Sequence, residues 1–317
     1  MRLHTRAIYM TQLIAGVDLG ATKIAMGLVE PGGRIVTQYR LPTHAQRGPQ
    51  LTATRIAAVL EAWQIALPHA QIAACGVCTP GPVDHAAGLI LDPPNLGWRD
   101  VPFRDMLAKE LRLPVTLEHD AKAAALGEFH FGKGRELNAR DLVYVIVGTG
   151  IGAAIILDGE LYRGRTNAAG EIGHITIERN GPPGSSGVPG CVEVFAGGPA
   201  IEAHYARLTG QRLSGEEITQ RATNGDAAAL QVFADAGDAL GAAVATTAMM
   251  MDVDLFVIGG SVSRAGDVLL EPARRAVWKY AFRSVASRVR IVATALHEDG
   301  AILGCAWQAM QELRIEN

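Results

Sequence analysis

Long hydrophobic runs are missing from this chain. The longest uncharged apolar stretch, Leu142 to Leu157, is too short to span a bilayer and is interrupted by Gly148, Gly150 and Gly152. It reads better as two strands around a turn. The N-terminal segment MRLHTRAIYMTQLIAG lacks an apolar core followed by a small-residue cleavage site, so no secretory signal is expected. These absences predict a cytoplasmic protein with no membrane partner. A charge excess is missing too: the formal net charge of −3 argues against nucleic acid as the main partner. Low-complexity tracts and long flexible linkers are absent, and with 19% charged and 49% hydrophobic residues the chain is expected to be globular, with no disordered majority.

Cysteines are few, and the four present (Cys75, Cys78, Cys191 and Cys305) form no dense disulfide pattern. Cys75-Gly-Val-Cys78 has the C-x-x-C spacing of redox and metal motifs. It lies inside the apolar run Ile72–Cys78, where residues three apart in a strand face opposite sides. Structural thiols in a buried strand are the expected outcome.

What the chain does have is length, apolar content and a repeat. At 317 residues it exceeds one comfortable core and reads as two α/β domains. Strand-like runs at Leu13–Leu19, Ile24–Val29 and Arg34–Arg40 precede a helical stretch around Leu51–Ala66. A strand at Ile72–Cys78, a Pro/Gly-rich loop (Thr79–Trp98), a helix at Phe103–Leu111 and a strand at Val115–Glu118 follow. The pattern then starts again, with strands at Leu142–Val147 and Ala153–Leu157 and a further strand expected at Ile175–Glu178. Ala-rich helices from Pro199 to about Met250, strands at Asp254–Ile258 and Arg290–Ala295, and helices at Leu269–Ala281 and Ala301–Leu313 complete it. Strand, glycine turn, strand therefore occurs twice, near residue 20 and near residue 150. Two such turns can grip one polyphosphate, although the motif also arises by chance.

Several residues carry chemistry. In Asp18-Leu-Gly20-Ala21-Thr22-Lys23 a turn with little side-chain bulk presents backbone N–H groups to phosphate, while Asp18 suits a hydrated magnesium ion. The spacing matches neither GxxxxGK[ST] nor GxGxxG, and an ordinary hairpin is the alternative. Asp120 stands where a strand meets an Ala-rich helix, which suits either an N-cap or a general base. Glu171 and His174 can serve one ligand, such as a sugar hydroxyl that both donates and accepts. A core histidine beside a surface acid is the other reading. A zinc site would need further ligands.

In order along the chain, these segments resemble the ROK family (repressors, uncharacterised frames and sugar kinases) of the hexokinase/actin-like superfamily. Asp18–Lys23 is similar to the first phosphate motif, Thr79-Pro-Gly81-Pro-Val83 to the loop before the sugar site, and Pro94-Asn95-Leu-Gly-Trp98 to a sugar-contacting segment. Asp120–Glu128 resembles the catalytic-aspartate helix and Gly148-Thr149-Gly150-Ile-Gly152 the second phosphate motif. Glu171-Ile-Gly-His174 resembles the E-x-G-H sugar motif, Gly190-Cys-Val-Glu193 the G-C-L-E segment, and Ile258-Gly259-Gly260-Ser261 the adenosine-side glycines.

The resemblance implies two ribonuclease H-like (actin-like ATPase) domains with an interdomain cleft. They would span residues 1–118, rejoined by a C-terminal helix at 301–317, and residues 119–300. It further implies an ATP- and Mg²⁺-dependent hexose 6-kinase, most like a glucokinase. Asp120 would be the general base, Gly81, Asn95, His119, Glu171, His174 and Glu193 would bind sugar, and the glycine turns with Asp18, Ala21, Thr22 and Lys23 would hold the nucleotide. N-acetylglucosamine, N-acetylmannosamine, mannose or fructose are alternative substrates. A repressor would need a DNA-binding module, for which the dozen or so residues before the first strand leave no room. A homodimer or homotetramer is expected.

Two departures from the family pattern stand out. The family's zinc module, H…C-x-C-G-x-x-G-C, meets Gly184 and Ser186 here in place of two cysteines. Only His174 and Cys191 remain, so no structural zinc is expected, and the GPPGSSGVPG loop is expected to hold its shape by backbone stiffness. His119 replaces the usual Asn before the catalytic aspartate.

Overall fold

The computed structural model describes residues 11–314. Residues up to 127 together with 301 onward form one compact unit, and 128–300 form a second.

The first unit is built on strands β1 (Thr11–Leu19), β2 (Lys23–Val29), β3 (Ile35–Pro42) and β4 (Ala70–Thr79). It adds the short pair β5 (Val83–Asp84) and β6 (Leu89–Ile90), then β7 (Val115–His119). Its main sheet runs β3-β2-β1-β4-β7. β1, β2 and β3 form an antiparallel meander, while β4 and β7 lie parallel to β1 and to each other. Parallel neighbours need crossovers. Helix α1 (Pro49–Ala66), which starts with proline in its first turn, supplies one, and α2 (Phe103–Leu111) supplies the other. Helix α3 (Asp120–Phe131) leaves β7 directly, and the boundary between the units falls within it.

Both faces of the central strands are covered. Leu13, Val17, Ile24, Met26, Val77 and Leu117 pack with Ile56 and Leu107 in one core. On the sheet, the C-terminal helix Asp299–Glu312 approaches so closely that side chains cannot fit beneath it. A Cβ on Gly16 would lie 2.1 Å from the Ile302 carbonyl oxygen, and one on Gly76 would lie 2.0 Å from that of Cys305. The thiols of Cys75, Cys78 and Cys305 are buried here, unbridged. Burial pushes the Cys75 thiol well up, which suits packing rather than redox work.

The second unit repeats the plan. Its elements are α4 (Lys133–Glu136), β8 (Leu142–Val147), β9 (Ile151–Leu157), β10 (Glu160–Tyr162), α5 (Glu193–Ala196), α6 (Gly198–Thr209) and α7 (Gly215–Thr223). Then come α8 (Ala227–Met251), β11 (Leu255–Gly259), α9 (Asp267–Tyr280), α10 (Arg283–Ala286) and β12 (Arg290–Ala293). The sheet order β10-β9-β8-β11-β12 has the same sequence of antiparallel and parallel neighbours as the first. Helix α7 opens with a Ser214/Glu217 capping box, and the Asp226 carboxylate caps α8 by accepting from the Ala229 N–H at 2.8 Å. Helix α8 is long and apolar enough to cross a membrane, yet over half of that apolar window is buried within the fold. It is the core helix of this unit, pressed on α9 at Gly241, whose Cβ would meet the Ala273 carbonyl oxygen at 2.4 Å.

One expected strand is absent. Ile175–Glu178 makes a single bridge, Thr176 to Cys191. The N–H groups of Ile177 and Glu178 both donate to the one carbonyl of Gly190, which curls the segment away from a ladder.

Candidate functional site

In the first unit the candidate residues gather where β1, β4 and β7 end. Parallel register pairs Asp18 with Cys78, and Thr79 with His119, so Asp18, His119 and Asp120 share the carboxyl edge of the sheet. That edge is where open α/β sheets bind ligands. The β1–β2 turn is closed by the Gly20 N–H donating to the Lys23 carbonyl at 3.0 Å. Thr43 fastens it, its hydroxyl donating to the Gly20 carbonyl at 2.7 Å and its N–H to the Thr22 carbonyl at 2.9 Å. With three carbonyls engaged, the turn offers N–H groups, the donors phosphate oxygens need.

Asp18 is half-buried and accepts from the Cys78 thiol at 3.6 Å. The Cys78 pKa is raised by its hydrogen bond with Cys305, then by burial, and further by the nearby Cys305, Asp18 and Asp120. Both carboxylates therefore act on one thiol, which keeps it protonated. A single carboxylate beside a phosphate turn fits magnesium, which keeps most of its water shell. Among the described residues no group of three or more His, Cys, Asp or Glu side chains is arranged to hold a metal by itself.

Asp120 opens α3. Its Oδ1 accepts from the Ala121 N–H at 2.6 Å and lies 3.2 Å from His119 Nδ1, without the alignment of a hydrogen bond. The His119 ring rests on Gly81, where a Cβ would come within 2.4 Å of the ring. The His119 N–H donates to buried Glu118 at 2.8 Å, which fixes the backbone leading into Asp120. Asn95 is exposed and lines a hollow of 720 Å³ together with Ala21 of the turn. Trp98 is buried behind it, its indole N–H donating to the Ala45 carbonyl at 3.0 Å.

In the second unit the candidates meet at Ile151, the first residue of β9. The preceding turn is closed by the Gly148 N–H donating to the Gly150 carbonyl at 2.9 Å. The Ile151 N–H donates to Glu193 Oε2 at 3.0 Å. Gly150 makes room for that carboxylate, since a Cβ there would lie 2.6 Å from Oε2. Glu171 precedes and His174 ends a 3₁₀ turn over residues 172–174, pressed against β9 at Gly173, whose Cβ would sit 2.0 Å from the Ile151 carbonyl oxygen. Glu171 is exposed and His174 half-buried.

The same glycine turn opens onto a 680 Å³ hollow lined by Gly148, Thr149, Gly198, Gln220, Ser261 and Arg264, among others. The predicted Gly259 and Gly260 do not line it, although Ser261 next to them does; a Cβ on Gly260, whose φ is +87°, would meet the Val147 carbonyl oxygen at 2.3 Å. Sequence reasoning missed Gly198, Gln220 and Arg264. The Gly198-Pro199 start of α6, with its Gly198 N–H bound to the Gly148 carbonyl at 2.7 Å, was the available signal. A larger hollow of 980 Å³ holds none of the predicted residues. Within it Lys279 pairs with Asp238 at 3.3 Å, and His204 lies 3.6 Å from Asp235.

Two mixed α/β sheets of the same plan, each with a glycine turn at its first hairpin, define an actin-like ATPase fold. The ROK family model matches residues 14–312, and the chain belongs to that family. It is 34% identical to a glucokinase of Halalkalibacterium halodurans over 94% of both chains. It is 32% identical to a putative xylose repressor of Caldicellulosiruptor sp., covering 95% of this chain and 79% of that protein. The crystal structure of a ROK family glucokinase from Streptomyces griseus in complex with glucose and AMPPNP has a TM-score of 0.79 at 31% identity. It covers 94% of this chain and 99% of that one.

Proposed function

We propose that this protein is an ATP-dependent sugar kinase that phosphorylates the 6-hydroxyl of a hexose, with glucose preferred. The observation that carries the reading is Asp120. Its half-buried carboxylate stands at the carboxyl edge of a parallel sheet beside a second carboxylate and a glycine turn. Among the described residues its Oδ1 accepts from the Ala121 N–H and has the His119 ring beside it. Oδ2 is the oxygen suited to take a proton.

In this reading Asp120 accepts the proton of the sugar hydroxyl as its oxygen bonds to the γ-phosphorus. The bond from that phosphorus to the β,γ-bridging oxygen breaks, and ADP leaves with the electron pair. The two glycine turns donate N–H groups to the phosphate oxygens, and Thr149, Ser261 and Arg264 line the nucleotide side. Asp18 would hold Mg²⁺ through water, and the ion neutralises charge on the phosphates when bound. Asn95, Glu171, His174 and Glu193 bind the remaining hydroxyls with mixed donors and acceptors, as a sugar requires. No covalent enzyme intermediate is needed, because positioning and charge stabilisation supply most of the rate.

The test is ADP release in a coupled assay with glucose, mannose, fructose, N-acetylglucosamine and N-acetylmannosamine. Glucose should give the highest kcat/KM, and Asp120→Asn should lower kcat by about a hundredfold or more with little change in sugar affinity. An N-acetylated hexosamine as best substrate would move the assignment to the alternative kinase. Sugar binding without ADP release would favour the reading suggested by the xylose repressor relative, and Asp120→Asn with near-normal kcat would remove Asp120 as base.

A further inference from the structure

The Gly/Pro/Ser loop 181–190 touches two of the sugar-binding candidates at once. The Ser185 hydroxyl donates to Glu193 Oε1 at 2.6 Å. The Ser186 hydroxyl lies 3.1 Å from His174 Nδ1. These are adjacent residues on one loop, reaching one carboxylate and one imidazole.

The loop is held firmly enough to act as a support. Pro183 and Pro189 pair across it, the Gly184 N–H donates to the Val188 carbonyl at 2.9 Å, and the Gly187 N–H donates back to the Gly184 carbonyl at 2.9 Å. At its base the Thr176 hydroxyl donates to the Pro189 carbonyl at 3.0 Å. Gly190, at φ +56°, sits where a Cβ would come within 1.7 Å of the Glu178 carbonyl oxygen.

The same geometry fits zinc poorly. Of the four positions in the family's zinc pattern, His174 has its Nδ1 engaged by Ser186, and Gly184 offers no donor side chain. Gly184 is also packed against the remaining thiol: a Cβ there would lie 2.6 Å from Cys191 Sγ. A cysteine at that position would collide with its would-be co-ligand. One imidazole and one thiol do not close a tetrahedral site.

We propose that Ser185 and Ser186 form a metal-free clamp that positions Glu193 and His174 for the sugar. The Ser186 hydroxyl donates to Nδ1, which leaves the His174 Nε2–H as a fixed donor. The Ser185 hydroxyl holds one carboxylate oxygen of Glu193 while the Ile151 N–H holds the other. Both serines act through Glu193 and His174, which makes them positioning residues. The assignment of a sugar to Glu193 and His174 rests on the function proposed above.

Three measurements test the clamp. In the imidazole ¹⁵N spectrum of the whole protein without ligands, Ser186→Ala should shift the His174 Nδ1 resonance, and Ser186→Thr should restore it. This readout needs no sugar turnover. In the coupled assay, Ser185→Ala and Ser186→Ala should each raise the sugar KM roughly three- to tenfold. The KM for ATP should hold and kcat should change less than about twofold. Threonine at either position should rescue. Metal analysis of protein from zinc-supplemented cells should find no stoichiometric zinc. An unmoved Nδ1 resonance in Ser186→Ala, or one zinc per chain, would overturn the clamp whatever the protein phosphorylates. Loss of kcat together with both KM values, without threonine rescue, would reduce the serines to loop structure. No turnover on any sugar beside a shifted Nδ1 would reject the kinase reading alone and leave the clamp supported.

Discussion

At the scale of single residues, the candidate site depends as much on where side chains are excluded as on where they are present. Gly81 admits the His119 ring and Gly150 admits the Glu193 carboxylate, so each glycine sets the position of a polar partner. Titration enters through His130, half-buried on α3 with Phe129 edge-on at 4.9 Å between ring centroids. Burial lowers its pKa to about 4, whereas an unfolded histidine titrates near 6.5. Above that upper value both states are neutral and His130 has no effect on stability with pH. As pH falls toward 4, the unfolded chain binds the proton first, so stability is progressively lost across that window. The midpoint of thermal unfolding, followed by circular dichroism, should fall through this range more steeply for the native chain than for His130→Gln. Equal slopes would show that His130 is not a source of the acid sensitivity.

At the scale of elements, local pattern gave what local pattern can carry. Strands β1, β4, β8 and β11, each with a parallel neighbour, are continuous apolar runs because both of their faces are buried, and such runs are conspicuous in a sequence. The turns between β1 and β2 and between β8 and β9 were visible from their glycines. The strand expected at Ile175–Glu178 does not form, because the Ile177 and Glu178 amides converge on the Gly190 carbonyl, a contact distant in sequence that no local pattern reports. The same limit hid Ser185 and Ser186, which read as an ordinary Gly/Pro/Ser loop until the fold brought His174 and Glu193 to them. Gly198, Gln220 and Arg264 were hidden likewise, since a hollow is a property of several helices together. The C-terminal helix was legible as a helix, but not its seat on Gly16 and Gly76. That seat is testable. Gly76→Ala would push a methyl group to within 2.0 Å of the Cys305 carbonyl oxygen, where backbone has to move. Destabilisation of about 3 kcal/mol is expected in urea unfolding, at the upper end for overpacking. A loss under about 0.5 kcal/mol would mean that the helix does not rest on this strand.

At the scale of the whole molecule, the chain builds one sheet plan twice and then returns to the first copy. The order of antiparallel and parallel neighbours is the same in both units, and the glycine turn follows the central strand in each. Only the first unit is discontinuous, since residues from 301 onward belong with those up to 127. The returning segment is structural: Ile302, Leu303, Cys305, Ala306 and Ala309 are buried. Gly304 lies against α3, where a Cβ would sit 1.7 Å from the Ala123 carbonyl oxygen. The Gln308 amide donates to the buried Glu118 carboxylate at 3.4 Å, the group that also holds the His119 N–H. Without this helix the fragment 1–127 would expose the glycine-floored face of its sheet to water and leave Glu118 short of a partner. Losing several fully buried side chains costs more than the net stability an ordinary domain has to spare. The fragment should therefore bind the hydrophobic dye ANS and unfold without a cooperative transition in urea. Adding residues 299–317 as a separate peptide should restore a sigmoidal transition and suppress dye binding. Cooperative unfolding of 1–127 alone would show that the C-terminal helix decorates a domain that is already complete.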